Sequence, residues 1–437
     1  MSCPIDHAGA TAIAEATKRP GPAARPGDRR AKANEHKVFR ASQRLMWYFN
    51  MYARWRGKRG ADVVAIPFLG YGINGAVAVR EMLLDEERFP NTNSKPETVL
   101  LTQVVGPASL TNQNGPPHRE LRLKLTDLFT PRYVSELCDR VLTPVMDRLE
   151  AQLRAGETVD IARFTKIMTG SIVADLNGEE FDTVDAQEAR ALELSELGRQ
   201  LANMIPARLR AFTPKELAKV NAKLDRLIEG LEQTYEAGDE RTVPGRFKAR
   251  GVSWDVARGI LVVLILGGLE TTQSGGSRLV ALLSDTNQWD DLRSNPDALM
   301  DTIDESIRVT TPVPIITRWV AEDTVFRGTK MKKDKLVVAF LNNAVRDERV
   351  IPDGGDFCPH RTVPRELRQL HFGAGPHFCI GNNLARGEMK MFMERILRVD
   401  GELEVVDRTF AKHVLIPTYK HLMVRVKPGS ARGASAA

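Results

Sequence analysis

The chain has 437 residues, a hydrophobic share of 42%, and 62 Lys plus Arg against 56 Asp plus Glu, for a formal net charge of +6. That length supports a large core, and the mild basic excess suits docking of an acidic protein and gives no sign of nucleic-acid binding. The four cysteines, Cys3, Cys138, Cys358 and Cys379, form no C-x-x-C pair, which argues against a zinc ribbon or a disulfide framework and predicts reduced thiols in a cytoplasmic protein.

Residues 1–36 are rich in Ala, Pro, Arg and Gly and show no hydrophobic period, so a flexible tail is predicted there. An aromatic patch follows, Met46-Trp47-Tyr48-Phe49-Asn50-Met51-Tyr52-Ala53-Arg54-Trp55. Packed core is its expected role; contact with a membrane surface or a substrate entrance is the alternative. Asp62–Leu69 alternates like a strand and Val79–Leu84 reads as helix. Between them Gly70-Tyr71-Gly72-Ile73-Asn74-Gly75 matches G-x-G-x-x-G. A dinucleotide turn would need a second strand ending in an acid. The next apolar run, Thr98–Val105, ends in Gly106-Pro107, and no βαβ alternation continues, so that reading fails.

From Pro131 onward amphipathic helical patterns dominate, among them Val134–Leu153 and Pro214–Tyr235. Trp254–Ser284 is predicted as one long buried helix. The longest apolar run, Ile260–Leu269, lies inside it and is about half of the ~20 residues that span a bilayer. Into this run fall Gly267-Gly268-Leu269-Glu270-Thr271-Thr272, poor residues for a structural helix interior. The Thr271 hydroxyl can bond back to the Gly267 carbonyl and distort the helix, and the glycines leave room for a small ligand beside a hydroxyl and a carboxyl. A buried Glu270 without a task would be costly. Further on, Glu305 and Arg308 share a helix face at i, i+3. Short strands are predicted at Lys335–Phe340 and His421–Val426.

The most informative residue is Cys379, in the run Phe372-Gly373-Ala374-Gly375-Pro376-His377-Phe378-Cys379-Ile380-Gly381. Glycines let the backbone approach closely. A helix starting near Asn382 would aim its positive end at the sulfur and lower the thiol pKa. This is how a protein presents a thiolate to a metal.

These ten residues resemble the haem-binding loop of the cytochrome P-450 superfamily, the haem-thiolate monooxygenases, in its soluble bacterial form. The pattern Phe-Gly-x-Gly-x-(His or Arg)-x-Cys-x-Gly is met at Phe372, Gly373, Gly375, His377, Cys379 and Gly381. The resemblance extends to the acid–alcohol pair at Glu270-Thr271, the Glu-x-x-Arg pair at Glu305 and Arg308, and Asp356–Arg361. It implies a mainly α fold with a small β-rich lobe, one domain over 37–437, and a β-hairpin around residue 70. It implies haem b bound through Cys379 as metal ligand and through His118, Arg122, Arg318 and His377 at the propionates, with Phe372, Gly373 and Gly381 shaping the loop. Thr271 and Glu270 would deliver protons during dioxygen activation. Glu305, Arg308 and Arg361 would lock the loop structurally. Leu264, Gly268, Val313, Ile316 and Ile416 would line a pocket for a hydrophobic substrate such as a terpene, steroid or fatty acid. Electrons would come from a separate ferredoxin or flavodoxin with its reductase, docked near Arg386 and Lys390. A peroxide-driven peroxygenase and a non-catalytic haem protein are the alternatives.

Overall fold

The computed structural model describes residues 27–66, 70–95, 100–204 and 211–427. Helix α1 (Asp28–Ser42) opens the described chain, followed by α2 (Arg44–Gly57). The expected tail to residue 36 is thereby corrected, since residues from Asp28 onward are helical; residues 1–26 lie outside the described residues. Composition hid α1 because its buried stripe, Ala31, Asn34, Glu35 and Val38, is half polar. Glu35 accepts from Arg278 Nε at 3.0 Å, an ion pair closed off from water on both sides. The aromatic patch is a second correction. Only Asn50, Ala53 and Gly57 of α2 are buried, while Tyr48, Tyr52 and Trp55 are each close to half exposed.

Strands β1 (Val63–Ile66) and β2 (Gly70–Ile73) form an antiparallel pair with Val63 opposite Ile73 and Ile66 opposite Gly70. The glycines of the G-x-G-x-x-G run serve close packing. A Cβ on Gly70 would lie 2.0 Å from the Leu336 carbonyl oxygen, and one on Gly72 would lie 2.6 Å from the Phe340 ring. Then come α3 (Ala76–Leu84), α4 (Leu100–Val105), α5 (Gly115–Leu125) and α6 (Pro131–Arg154). Helix α6 starts where the Thr130 hydroxyl accepts the Tyr133 N–H at 3.3 Å, with Pro131 in the first turn, where its missing N–H costs nothing. Its apolar positions from Val134 to Leu153 recur every three or four residues and are buried.

Next are β3 (Val159–Asp160), α7 (Ile161–Leu176), α8 (Val184–Met204), α9 (Pro214–Leu227), α10 (Leu231–Ala237), α11 (Val243–Ala249) and α12 (Trp254–Asp285). The single amphipathic stretch expected over Pro214–Tyr235 is two helices, because Gly230 turns left-handed at φ 89°. Helix α12 has 32 residues, which makes it about 48 Å long. It is the central element, packing on α7, α8, α16 and α1; the last part of the chain supplies α13 (Trp289–Ser294), α14 (Leu299–Thr310), β4 (Ile316–Trp319), β5 (Thr324–Phe326), β6 (Thr329–Met331), β7 (Leu336–Ala339), α15 (Leu341–Ala344), α16 (Asn382–Leu397), β8 (Leu403–Phe410) and β9 (Tyr419–Val426).

One sheet has the order β1-β2-β7-β4, in which β2 and β7 run parallel and the other pairs antiparallel. A second has the order β3-β9-β8, and β5 pairs with β6. The main core gathers the long helices. A smaller one, including Ile73, Val79, Met82, Phe89, Val337 and Leu341, sits at the four-stranded sheet. The fold is therefore mainly α with a small β-rich lobe. Among the described residues no helix is long and apolar enough to cross a membrane.

Candidate active site

Helix α12 is buried along most of its length, but Gly267 is exposed and Gly268 is half-buried midway along it. A Cβ on either would meet nothing within 4 Å, so open space adjoins the helix there. The Thr271 hydroxyl donates to the Gly267 carbonyl oxygen at 2.6 Å. Next to it Glu270 is buried, with Oε2 lacking a hydrogen-bond partner. Burial pushes its carboxyl up to about 8; Arg199 pulls it down and Glu196 pushes it further up. Glu270 therefore holds a proton at neutral pH and can act as a donor.

The cysteine loop contains two single 3-10 turns, Leu370–Phe372 and Gly375–His377. Gly375, at φ 70°, lies so close to α3 that a Cβ would come within 2.8 Å of the Leu83 carbonyl oxygen. The Cys379 N–H donates to the Phe372 carbonyl at 3.0 Å and folds the loop back on itself. Among the described cysteines, Cys379 alone is exposed, while Cys138 and Cys358 are buried. Gly381 precedes α16, and its N–H bonds to the Cys379 thiol. The expected lowering of the thiol pKa is corrected. Although the sulfur is exposed, the protein packed around it raises the thiol pKa by desolvation, and the Gly381 N–H and Arg122 offset this only in part. Metal coordination would itself remove the proton.

His118 and Arg122 stand one turn apart on α5. The His118 and His377 rings stack with centroids 4.1 Å apart, and Arg122 Nη2 donates to the Phe378 carbonyl at 2.7 Å. Arg318, on β4, is buried and donates from Nη1 to its neighbour's carbonyl, Thr317, at 2.8 Å. Burial holds Arg318 down at about 10. Burial, His118, Arg318 and Arg122 together push His377 down to about 3. Four dispersed sequence positions thus converge. Both ring nitrogens of His118 are buried without a hydrogen-bond partner, and Arg318 has no carboxylate partner among the described residues. Such orphaned donors and cations await an anion. Three neighbouring groups entered unannounced. Glu86 lies 4.0 Å from His377 Nε2, Asn91 Nδ2 is 2.9 Å from the same ring atom, and buried His371 has neither nitrogen paired. Glu86, His118 and His377 bring ligand-capable atoms within 4.8 Å of one another, but the adjacent Arg122 and Arg318 favour an anion over a metal cation. No spacing rule marks Glu86 or Asn91, which reach His377 only through tertiary packing.

Glu305 and Arg308 on α14 form a two-pronged pair, with Nε–Oε2 at 2.7 Å and Nη2–Oε1 at 2.8 Å. Arg361 Nε adds 3.3 Å to Oε1, and the Cys358 N–H donates to the same oxygen at 3.0 Å. Arg308 Nη1 donates to the Val345 and Gly354 carbonyls at 2.6 and 2.7 Å. The network ties α14 to the segment that leads into the cysteine loop. Arg386, which the sequence offers as a docking cation, pairs with Asp304 at 2.8 Å and stays half-buried; Lys390 is exposed, 3.4 Å from Glu394. Leu264 and Ile316 are half-buried, Val313 is exposed, and Ile416 is buried in the segment before β9.

A planar dianionic macrocycle whose iron takes one thiolate fits this donor set, with an exposed thiol, unpaired imidazoles and an uncompensated guanidinium. The profile described as Cytochrome P450, here written cytochrome P-450, matches residues 280–399. A cytochrome P-450 of Bacillus subtilis is 26% identical over 300 residues, covering 66% of this chain and 68% of that protein. The chain is thus similar to cytochromes P-450 in the segment that carries the cysteine loop and in its fold. A steroid C26-monooxygenase of Mycolicibacterium smegmatis is 36% identical over 149 residues, 33% of this chain and only 36% of that protein's length. Two solved cytochromes P-450 share the fold. A mutant of EryK in complex with erythromycin B aligns with a TM-score of 0.71 at 24% identity, covering 88% of this chain and 98% of that one. BioI in complex with an acyl carrier protein ligated to hexadec-9Z-enoic acid gives 0.72 at 22% identity, covering 86% and 97%.

Proposed function

We propose that this chain is a cytochrome P-450 monooxygenase that places one oxygen atom from dioxygen into a hydrophobic small molecule, with haem b as its cofactor. The catalytic unit is read as one domain that includes α1, since α1 is built into the core. Haem would supply a redox-active iron at which dioxygen is activated. Cys379 would ligate the iron, and the thiolate would add electron density that favours O–O cleavage. His118, Arg122, Arg318 and His377 would hold the propionates, and Phe372, Gly373 and Gly381 would shape the loop beneath the macrocycle. Glu270 would carry the proton at neutral pH and Thr271 would orient it, since its hydroxyl, bonded to the Gly267 carbonyl, adjoins the open space. Glu305, Arg308 and Arg361 would keep the loop in place by structure alone. Leu264, Gly268, Val313, Ile316 and Ile416 would face the substrate.

The observation that carries this reading is the pairing of an exposed thiol at Cys379 with the unpartnered ring nitrogens of buried His118 and with buried Arg318, which has no carboxylate partner among the described residues. The substrate class is a terpene, steroid, fatty acid or similar molecule. The partial match to a steroid C26-monooxygenase puts steroids first in a ligand panel. Electrons would come from a separate ferredoxin or flavodoxin with its reductase. The test is spectral and then chemical. The reduced protein under carbon monoxide should show the strongly red-shifted Soret band of thiolate ligation, and Cys379→Ser should abolish it. A steroid that shifts the iron spin state should then yield an oxygenated product with NAD(P)H, ferredoxin and reductase. Turnover with hydrogen peroxide alone would make the protein a peroxygenase, and no turnover with any spin-shifting ligand would make it a non-catalytic haem protein.

A further inference from the structure

Helix α2 is inverted relative to an ordinary surface helix. Its buried face is small and polar, Asn50, Ala53 and Gly57, and its solvent face carries the large apolar residues. Leu45 is 70% exposed, Tyr48 48%, Tyr52 46% and Trp55 47%. At 100° per residue these four fall within about 80° of arc, a single ridge about 15 Å long. Arg44 and Arg56 are exposed and flank that ridge on its two sides. Lys58 and Arg59 are exposed just beyond its end, and the Arg59 guanidinium lies 3.8 Å over the Trp55 ring. From His36 to Ala61 the chain holds seven Lys or Arg and no Asp or Glu. Arg54, on another side of the helix, is the one cation of α2 that reaches an acid among the described residues, Glu348 at 3.5 Å.

We propose that α2 is a docking ridge for an anionic lipid surface. Tyr and Trp have apolar bodies with polar tips, which suits the headgroup boundary, and Leu45 supplies purely apolar area. Cations at both edges complement lipid phosphates, and their long side chains can reach headgroups while the ring faces sink. A stable protein partner is the poorer fit, because one convex ridge of this length falls short of the roughly 1,000 Å² that such an interface needs. The inference is independent of the oxygenation chemistry and rests on exposure and charge alone.

The test uses the full-length haem protein and sedimentation with large unilamellar vesicles. One set is pure phosphatidylcholine and the other contains phosphatidylglycerol. Binding is expected to the anionic set, to weaken as salt rises, and to blue-shift tryptophan emission. Two variants separate the parts: Tyr48→Ser with Tyr52→Ser and Trp55→Ser, and Arg56→Gln with Lys58→Gln and Arg59→Gln. Each should lower the vesicle partition coefficient by about tenfold or more, with an unchanged far-ultraviolet spectrum and carbon monoxide difference spectrum. The proposal is overturned if the native chain ignores anionic vesicles or if both variants bind as it does. It is also overturned if the chain forms a concentration-dependent dimer that the aromatic variant abolishes while vesicle binding is absent. That outcome would assign the ridge to a second copy.

Discussion

Removing the Glu305 carboxylate should destabilise the protein and empty it of haem. In the native fold this carboxylate accepts three guanidinium hydrogen bonds, at 2.7, 2.8 and 3.3 Å, and one buried amide at 3.0 Å. Arg308 is 2% exposed, so its charge cannot turn to water when the partner goes. Breaking one side of such a pair costs about 3–5 kcal/mol, a large part of the roughly 5–15 kcal/mol that stabilises a typical protein. At about 2.1 cal/mol/K per residue, a chain of 437 residues has an unfolding entropy near 0.9 kcal/mol/K, so Glu305→Ala should lower Tm by about 3–6 °C. Glu305→Gln keeps an acceptor and loses the charge, and should fall between the two. The assay is calorimetry together with haem-to-protein absorbance ratios after purification. A Glu305→Ala protein with native Tm and full haem content would refute the reasoning, because the network would then be ornamental.

Stability should also depend on Glu270 in a defined direction. Its carboxyl ionises near 4.5 in an unfolded chain and at about 8 in the fold. The native state therefore keeps the proton between those values, and its stability falls as pH rises through the window, by up to about 5 kcal/mol. Glu270→Gln should remove that slope, so the variant gains on the native protein from pH 5 to pH 8 in denaturant titrations; parallel profiles would contradict the buried-acid assignment. Thr271→Ala should retain the haem spectrum yet reduce product per NAD(P)H consumed, on the order of 10² in rate if the hydroxyl positions the proton, with the lost electrons appearing as hydrogen peroxide. Two glycines of α12 should respond oppositely to alanine. Gly267→Ala meets open space and should stabilise by about 0.5–1 kcal/mol while weakening binding of bulky ligands. Gly259→Ala drives a Cβ to 2.3 Å from the Val105 carbonyl and should destabilise, as read by urea midpoints.

The long helices were legible because their apolar residues recur at helical spacing, as in α6, or crowd every face, as in α12. The cysteine loop was legible because glycines with positive φ and a single thiol leave a local signature. Glu305 and Arg308 could be paired from i, i+3 spacing alone. What the sequence by itself determined is therefore local: periodicity, caps, turn residues and the types of chemical group present. Only the tertiary structure decided which distant groups share a dielectric. It put His118 against His377, brought Glu86 and Asn91 beside them, paired Arg386 with Asp304, and built α1 into the core through Glu35 and Arg278. It also turned the aromatic ridge of α2 outward, which composition cannot reveal, because burial depends on what the rest of the chain lays over a face and not on the face alone.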